Sequence, residues 1–246
     1  MIRTNALKDM PVPLDALAVN VPATAGDVTT VTDRVSQAIR QGIRSGRFVP
    51  GQHLVEVDLT QKLGISRSSL REALKRLAAD GIVTLNPYRG AYISVLDRKS
   101  VDDLLDVLEQ LNRLAAVKAA EHCNSAAARE RIENAVAAVK RHRDGGDRGQ
   151  YLALRQDFYD ALFEVGGNRE LARVTPLSRA DLFRAQIRPF QSLQQQRRHV
   201  DGYAAIAEAV LKGDPARADR AVKKHFTATR QSMDALPPEA FSMFEL

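Results

Sequence analysis

Two arginines four residues apart, Arg67 and Arg71, lie in the stretch GISRSSLREALKRLAADGIV from Gly64 to Val83, with Lys75 four residues further on. Arginine carries a planar, permanently charged fork of N–H donors that matches the O6 and N7 acceptors of guanine, or two phosphate oxygens; lysine offers only a point charge. Ser66, Ser68 and Ser69 add hydroxyls of the kind that bond phosphate oxygens. The chemistry these residues can do is recognition of a polyanion with readable edges, without bond making or breaking.

Such side chains work only if something holds them outward. At about 100° per residue, Leu70, Ala73, Leu74 and Leu77 fall on one apolar arc about 100° wide, with Arg67, Arg71 and Lys75 beside it. The spacing predicts a helix from Arg67 to Asp80, capped by Ser66 and stopped by Gly81. Upstream, Val31, Val35, Ala38, Ile39 and Ile43 recur at helical intervals as far as Gly46, and Pro50-Gly51 makes a turn. LVEVDLTQKLG then predicts a two-turn helix closing at Gly64. Only Ile65 separates that glycine from the Ser66 cap, so the two helices form a helix-turn-helix. Downstream, IVTLNPYRGAYISV reads as two β-rich runs around Asn86 to Gly90, a hairpin wing. Between residues 28 and 98 there are eleven Lys and Arg against six Asp and Glu. Most of the whole-chain charge of +6 is therefore concentrated there, which fits an anionic polymer as partner.

Residues 28 to 98 resemble the winged helix-turn-helix of the GntR family of bacterial transcription regulators. The matching residues are Gly46, Pro50-Gly51, Leu54, Glu56, Leu63-Gly64-Ile65-Ser66-Arg67, Arg71-Glu72-Ala73-Leu74, Gly81-Ile82 and Arg89-Gly90-Ala91. The resemblance implies that Arg67 and Arg71 read bases or adjacent phosphates and that Ser66, Ser68 and Ser69 contact backbone. It also implies that the Arg89-Gly90 wing tip enters the minor groove. One related type of regulator carries an arginine where this chain has Val57, so that contact is not expected here.

Length and composition set outer bounds. With 246 residues, 44% of them hydrophobic, there is room for two domains with a core each. No run approaches the 18 or so apolar residues of a membrane span, so no membrane partner is expected. Residues 1–27, with Pro11, Pro13 and Pro22 and little periodicity, are expected to form a flexible arm rather than a secretory signal. The single Cys123 excludes an internal disulfide and fits the cytoplasm, as a buried structural thiol.

From about residue 99 the pattern is helical throughout. Ser100 with Asp103 predicts a capped helix to about Cys123, and Ser125 caps a second that runs to Gly145-Gly146. Asp147 caps a third, ending at Gly166-Gly167. Pro176 interrupts a fourth, and Asp214 with Pro215 starts the last. Six or seven such helices make a bundle, with ligand sites between facing helices. DFYDALFEVGGN and GYAAIAEAVLKGDPARADRAVKKHF resemble markers of the FCD ligand-binding domain, found behind the DNA-binding module in the FadR branch of the same family. Many members bind a divalent metal with an Asp, a His four residues later and two further His. Those positions here are Arg155, Tyr159, Tyr203 and His225. One imidazole and a permanent cation do not make a metal site, so no metal or other cofactor is expected.

Arg155 instead falls in the middle of its helix's apolar face, between Tyr151, Phe158 and Leu162 on one side and Leu152, Tyr159 and Phe163 on the other. A buried guanidinium needs an anion. Two partners fit: a carboxylate or phosphate of a small effector, with Tyr159, Tyr203 and His225 adding hydrogen bonds, or an internal carboxylate such as Glu109 or Asp106. His53, His122, His142 and His199 show no ligand spacing; His142 in KRHRD and the QQQRRH run read as helix surface. No phosphate loop, nucleophile elbow or zinc cluster is present, so no enzyme is expected.

The expected fold is mostly α: a winged helix-turn-helix with a small β-hairpin over 28–98, an all-α antiparallel bundle over 99–236 for effector binding and dimerisation, and a tail over 237–246. The expected function is an effector-responsive, homodimeric DNA-binding regulator, a repressor, on a pseudo-palindromic operator. A ligand-independent architectural DNA binder and a small helical enzyme built on His225 and the tyrosines are the alternatives.

Overall fold

The computed structural model describes residues 30–242, which form two compact units. The arm expected over 1–27 lies outside the described residues. Of the expected tail, 237–242 are described, and Pro238–Ala240 makes one 3-10 turn that buries Ala240.

The first unit is built on α1 (Val31–Ser45), α2 (Glu56–Leu63) and α3 (Arg67–Ala79), with a three-stranded antiparallel sheet. Thr30 and Asp33 close a capping box on α1, whose Val35, Ala38, Ile39 and Ile43 are buried. Leu70, Ala73, Leu74 and Leu77 of α3 are buried in turn, and α3 packs against α1, α2 and the sheet. Val31, read as part of the α1 stripe, is exposed. The helix ends at Ala79, one residue before the expected Asp80, which becomes the cap; Gly81 follows at φ 68°. Phe48 fills the space that Gly42 leaves open: a Cβ at 42 would overlap its ring.

Strands β2 (Val83–Asn86) and β3 (Gly90–Ile93) are the expected hairpin, in register Val83 with Ile93 and Asn86 with Gly90. The sequence did not reveal β1 (His53–Leu54), which pairs with the other edge of β3. Two residues are too few to show alternation, and the pairing is created by β3, nearly forty residues away.

The rest of the chain is helical: α4 (Arg98–His122), α5 (Ala126–Lys140), α6 (Arg148–Gly166), α7 (Arg169–Val174), α8 (Leu177–Ile187), α9 (Leu193–Leu211) and α10 (Pro215–Asp234). Ser178–Gln186, the body of α8, belongs with the first unit, although the sequence reading placed it in the helical domain. The contacts that tie it there are Asp181, 4.0 Å from Arg44, and Arg179, whose side chain lies over Gly81; a Cβ at 81 would stand 3.1 Å from its Nε.

In the second unit α4 packs against α6, α9 and α10, and α5 bridges α6 and α9. Its caps are local. Ser125 accepts from the Ala128 amide, Asp147 from those of Gly149 and Gln150, and Asp214 from that of Arg217. The start of α4 differs from expectation: Asp97, not Ser100, is the cap, accepting the Ser100 amide at 2.7 Å, and Asp103 takes the Lys99 ammonium instead. A carboxylate at a helix N-terminus gains from the macrodipole, so Asp outcompetes Ser three residues on. The helix α5 also stops early, at Lys140 rather than at Gly145. The Gln196 amide donates to the His142 carbonyl at 2.6 Å, a long-range bond that anchors the turn where the helix would have continued.

Arg113 of α4 and Asp219 of α10 form a double hydrogen bond, 2.7 and 3.0 Å, that holds the Asp219 carboxyl below the usual carboxylate range. Stability from this pair is complete above the unfolded carboxylate pKa of about 3.9 and is lost as pH falls through the lower folded value. Asp219→Asn should therefore lower the unfolding midpoint at pH 7 and leave it little changed at pH 2, as measured by thermal melts across that range. An equal loss at both pH values would show that the pair's charge does not matter.

Candidate functional site

At the head of α3 the Ser66 hydroxyl accepts from the Ser69 amide at 3.1 Å and lies 2.9 Å from the hydroxyls of both Ser68 and Ser69. Three hydroxyls thus ring a helix N-terminus, where amide donors and the helix dipole favour an anion. Arg67, Arg71 and Lys75 are exposed beside the buried leucines. Two other cations of this unit are committed to carboxylates, Arg76 to Asp33 and Glu72 and Arg40 to Asp80. Arg71 is different. Its Nε donates to Glu56 Oε2 at 3.1 Å while the side chain stays 68% exposed. A bond through Nε fixes the guanidinium plane and leaves the Nη end for a base or phosphate. Glu56, at the start of α2, is thus a positioning residue, which the sequence offered only as part of a motif.

The wing tip is organised by Asn86. Its side-chain oxygen accepts from the Tyr88 amide at 3.0 Å and its carbonyl from the Arg89 amide at 3.3 Å. Gly90 stands at φ 87°, and a Cβ there would come within 2.9 Å of His53 Nε2. The turn therefore needs glycine twice over, for conformation and for space. Arg89 and Tyr88 project from it, Tyr88 with 96% of its surface exposed. Sequence reading passed over Tyr88; an aromatic at a hairpin tip was the available signal.

In the second unit Arg155, Tyr159, Tyr203 and His225 come together as their inward-facing periodicity required. Arg155 on α6 is only 3% exposed, its guanidinium carbon 5.2 Å from the Tyr159 ring centre. Tyr159 meets Tyr203 edge to face at 5.8 Å, and Tyr203 lies 4.7 Å from His225. The Tyr203 hydroxyl is buried with no hydrogen-bond partner among the described residues. Glu109 and Asp106, offered by the sequence as internal partners for Arg155, are both taken by Arg230 of α10, at 2.5 and 2.8 Å.

The cluster also holds His199, which sequence spacing left aside. It is buried on α9 and stacked on His225, ring centres 4.4 Å apart and planes within 6°. The surface reading of QQQRRH is corrected for two of its residues: Gln196 and His199, three apart, turn inward, while Arg197 and Arg198 stay exposed. His142 is buried too, its Nε2 3.2 Å from Gln150 Oε1. The neighbouring charges disguised inward positions, on α9 for Gln196 and His199 and in the turn after α5 for His142. Gly202 makes the histidine stack feasible, since a Cβ there would overlap His225 Nδ1. Gly202→Ala should cost about 1 to 3 kcal/mol through overpacking, read as a fall in the denaturant midpoint of the purified protein; an unchanged midpoint would mean that the ring is not confined.

The divalent ion that the family resemblance implies does not fit this set. Imidazole lone pairs lie in the ring plane, so two stacked rings point along parallel planes instead of converging on one ion. A guanidinium supplies no lone pair and repels a cation. Among the described residues no group of three or more His, Cys, Asp or Glu is placed to hold a metal, and no helix there is long and apolar enough to cross a membrane. Cys123 is buried, and burial pushes its thiol pKa up.

Comparison with known proteins places both halves. Residues 31–93 match the model of the bacterial regulatory proteins of the gntR family, and residues 103–228 match that of the FCD domain. The chain is 32% identical over 147 residues to an HTH-type transcriptional regulator in the TAR-I ttuE-ttuC' intergenic region of Agrobacterium vitis, covering 56% of this chain and 84% of that one. It is 24% identical over 227 residues to the HTH-type transcriptional repressor NanR of Cronobacter sakazakii, covering 84% and 86%. The fold is shared with E. coli McbR/YncC at TM-score 0.72 and 17% identity, over 82% of this chain and 96% of that one. A GntR regulator from Rhodococcus sp. RHA1 aligns at TM-score 0.72 and 20% identity, over 84% and 99%. A capped basic helix with a wing, followed by an FCD bundle, makes this chain a member of the GntR family of bacterial DNA-binding transcription regulators, in the branch that carries an FCD domain, and not an enzyme.

Proposed function

We propose that this regulator binds a pseudo-palindromic double-stranded operator as a homodimer in the cytoplasm, represses from it, and responds to a small anionic metabolite held in the FCD domain. The observation that carries the DNA half is α3: a leucine-seated helix with Arg67, Arg71 and Lys75 exposed on one side and Ser66, Ser68 and Ser69 around its positive end. In this reading the two arginines read base edges, the serines and Lys75 fix register on phosphates, and Arg89 with Gly90 enters the minor groove. One recognition helix reads too few base pairs for genomic specificity, which favours two copies on two half-sites. Repression is supported by relatives whose names carry that word, NanR among them.

The wing gives a check that separates two kinds of contact. Arg89→Ala should reduce the slope of log affinity against log salt by about 0.9, one phosphate contact. Tyr88→Ala should weaken binding several-fold and leave that slope unchanged, since an uncharged ring releases no counterion. Fluorescence anisotropy at several salt concentrations reads both; an unchanged slope in Arg89→Ala would remove the wing arginine from the interface.

For the effector, the supporting observation is the buried meeting of Arg155 with Tyr159, Tyr203 and His225, with the Tyr203 hydroxyl lacking a partner. Arg155 then supplies the positive charge that binds a carboxylate or phosphate through its fork, while the phenols and imidazole bond the remaining polar atoms. An effector changes DNA binding only through unequal affinity for the two states of the dimer. Titration calorimetry against panels of organic acids and phosphate esters tests this. A metabolite that binds wild type should bind Arg155→Ala at least tenfold more weakly and should alter the footprint on the upstream intergenic DNA. Equal binding by the variant overturns the assignment of Arg155.

A further inference from the structure

We infer that Asn112 of α4 selects the effector by accepting a hydrogen bond from it, so that the ligand is an organic acid that also carries a hydroxyl group. This rests on the anionic-effector reading above and narrows its chemical class.

Asn112 is only 1% exposed, and its Oδ1 has no hydrogen-bond partner among the described residues; the Tyr203 hydroxyl is buried in the same condition. A buried amide oxygen costs free energy until a donor reaches it. Its buried neighbours one turn away include Leu108, Ala115 and Ala116, which offer none.

Two sets of contacts fix where Asn112 points. Glu109 and Arg113 bond Arg230 and Asp219, which marks the α10 side of α4. Ala115 and Ala119 mark the α6 side: a Cβ on Gly166 would stand 3.5 Å from the Ala115 carbonyl oxygen and 3.2 Å from the Ala119 amide nitrogen. At about 100° per residue Asn112 falls midway between Glu109 and Ala115, about 60° from each. It therefore faces the space between α6 and α10, across which α9 meets α4. Its height follows from the same ion pairs. Arg230 meets Asp106 and Glu109 while Asp219 meets Arg113, so α10 runs antiparallel to α4, and interpolation sets His225 opposite Asn112 to within about one turn. Tyr203 shares that level, its ring 4.7 Å from His225, and Tyr159 reaches it from α6 at 5.8 Å. Asn112 Oδ1 and the Tyr203 hydroxyl thus turn to one region of the bundle centre.

An amide oxygen accepts and never donates. An ionised carboxylate or phosphate, which only accepts, would repel it, so the anion belongs at Arg155 and a donor belongs at Asn112. An ammonium is the poorer donor, because it would share the centre with the Arg155 guanidinium while Glu109 and Asp106 already serve Arg230. A neutral hydroxyl donates to Asn112 Oδ1 and accepts from the Tyr203 hydroxyl, satisfying both buried oxygens with one atom.

Titration calorimetry of the full chain with acids matched in all but their hydroxyls tests this: lactate with propionate, malate with succinate, gluconate with hexanoate. In a pair that binds, the hydroxylated member should bind at least about tenfold more tightly, since its partner leaves a buried acceptor unpaired. Asn112→Leu, similar in volume and lacking the acceptor, should bring the two members to within about twofold of each other, whereas Arg155→Ala should weaken both by the same factor. Thermal melts without ligand give a second reading: Asn112→Leu should melt at or above wild type, because no unpaired oxygen is left buried. A lower midpoint would show that the fold itself satisfies Asn112 and would overturn the inference. So would an Arg155-dependent acid that shows no hydroxyl preference, or a preference that Asn112→Leu leaves intact; the effector reading would then stand without Asn112. If Arg155→Ala binds the same acids as tightly as wild type, the effector reading itself fails.

Discussion

Replacing Arg67 and Arg71 together by alanine should abolish operator preference while leaving the fold intact. Both side chains are exposed, and neither contributes to the leucine core of α3. A good bidentate arginine–guanine pair discriminates by about 1 to 3 kcal/mol, so losing two per monomer removes several orders of magnitude of specificity. Non-specific binding should survive, weakened, because Lys75, Arg89 and the serines still meet phosphates. Competition binding with random duplex measures the ratio directly. Retained preference in the double variant would mean that sequence is read elsewhere. Glu56→Gln should give a partial version of the same loss, because Arg71 keeps its charge but loses the carboxylate that orients it.

The second large effect concerns the bundle. Arg230→Ala should destabilise the second unit by about 2 to 3 kcal/mol. The Glu109 carboxylate that it bonds is almost fully buried, and Asp106 lies beside it. Removing the cation strands a buried charge, which costs about 3 to 5 kcal/mol when the pair is wholly inaccessible; Arg230 is about one third exposed, which softens the loss. Guanidinium titration followed by circular dichroism reads it. Glu109→Gln in the Arg230→Ala background should recover part of the deficit, since a neutral amide is less costly to bury than a lone carboxylate. A double variant no more stable than the single one would show that the charge was not the cause.

The head was legible because its determinants are local. Ser66, the leucine spacing of α3, Gly64, Gly81 and the Asn86 to Gly90 turn each act within a few residues, and each appears where the spacing placed it. What escaped notice depends on distant partners. The strand β1 exists only through β3, and Glu56 gains its role only when Arg71 folds against it. In the bundle, inward periodicity identified Arg155, Tyr159, Tyr203 and His225, yet a single helix cannot say what faces it. His199 and His142, flanked by arginines, read as surface until α10 and the α6 start covered them. That Arg230 takes Glu109 was likewise invisible, since only the packing of α4 on α10 decides it.

The central claim is that α3 presents Arg67 and Arg71 to the edges of duplex bases. The most direct test is selection of binding sites from a random duplex pool by the full chain, sequenced after several rounds. Two inverted half-sites should be enriched, each with guanines whose replacement is costly to wild type and indifferent to the Arg67→Ala, Arg71→Ala protein. A pool that stays random, or an enriched sequence that the double variant selects equally well, would contradict it.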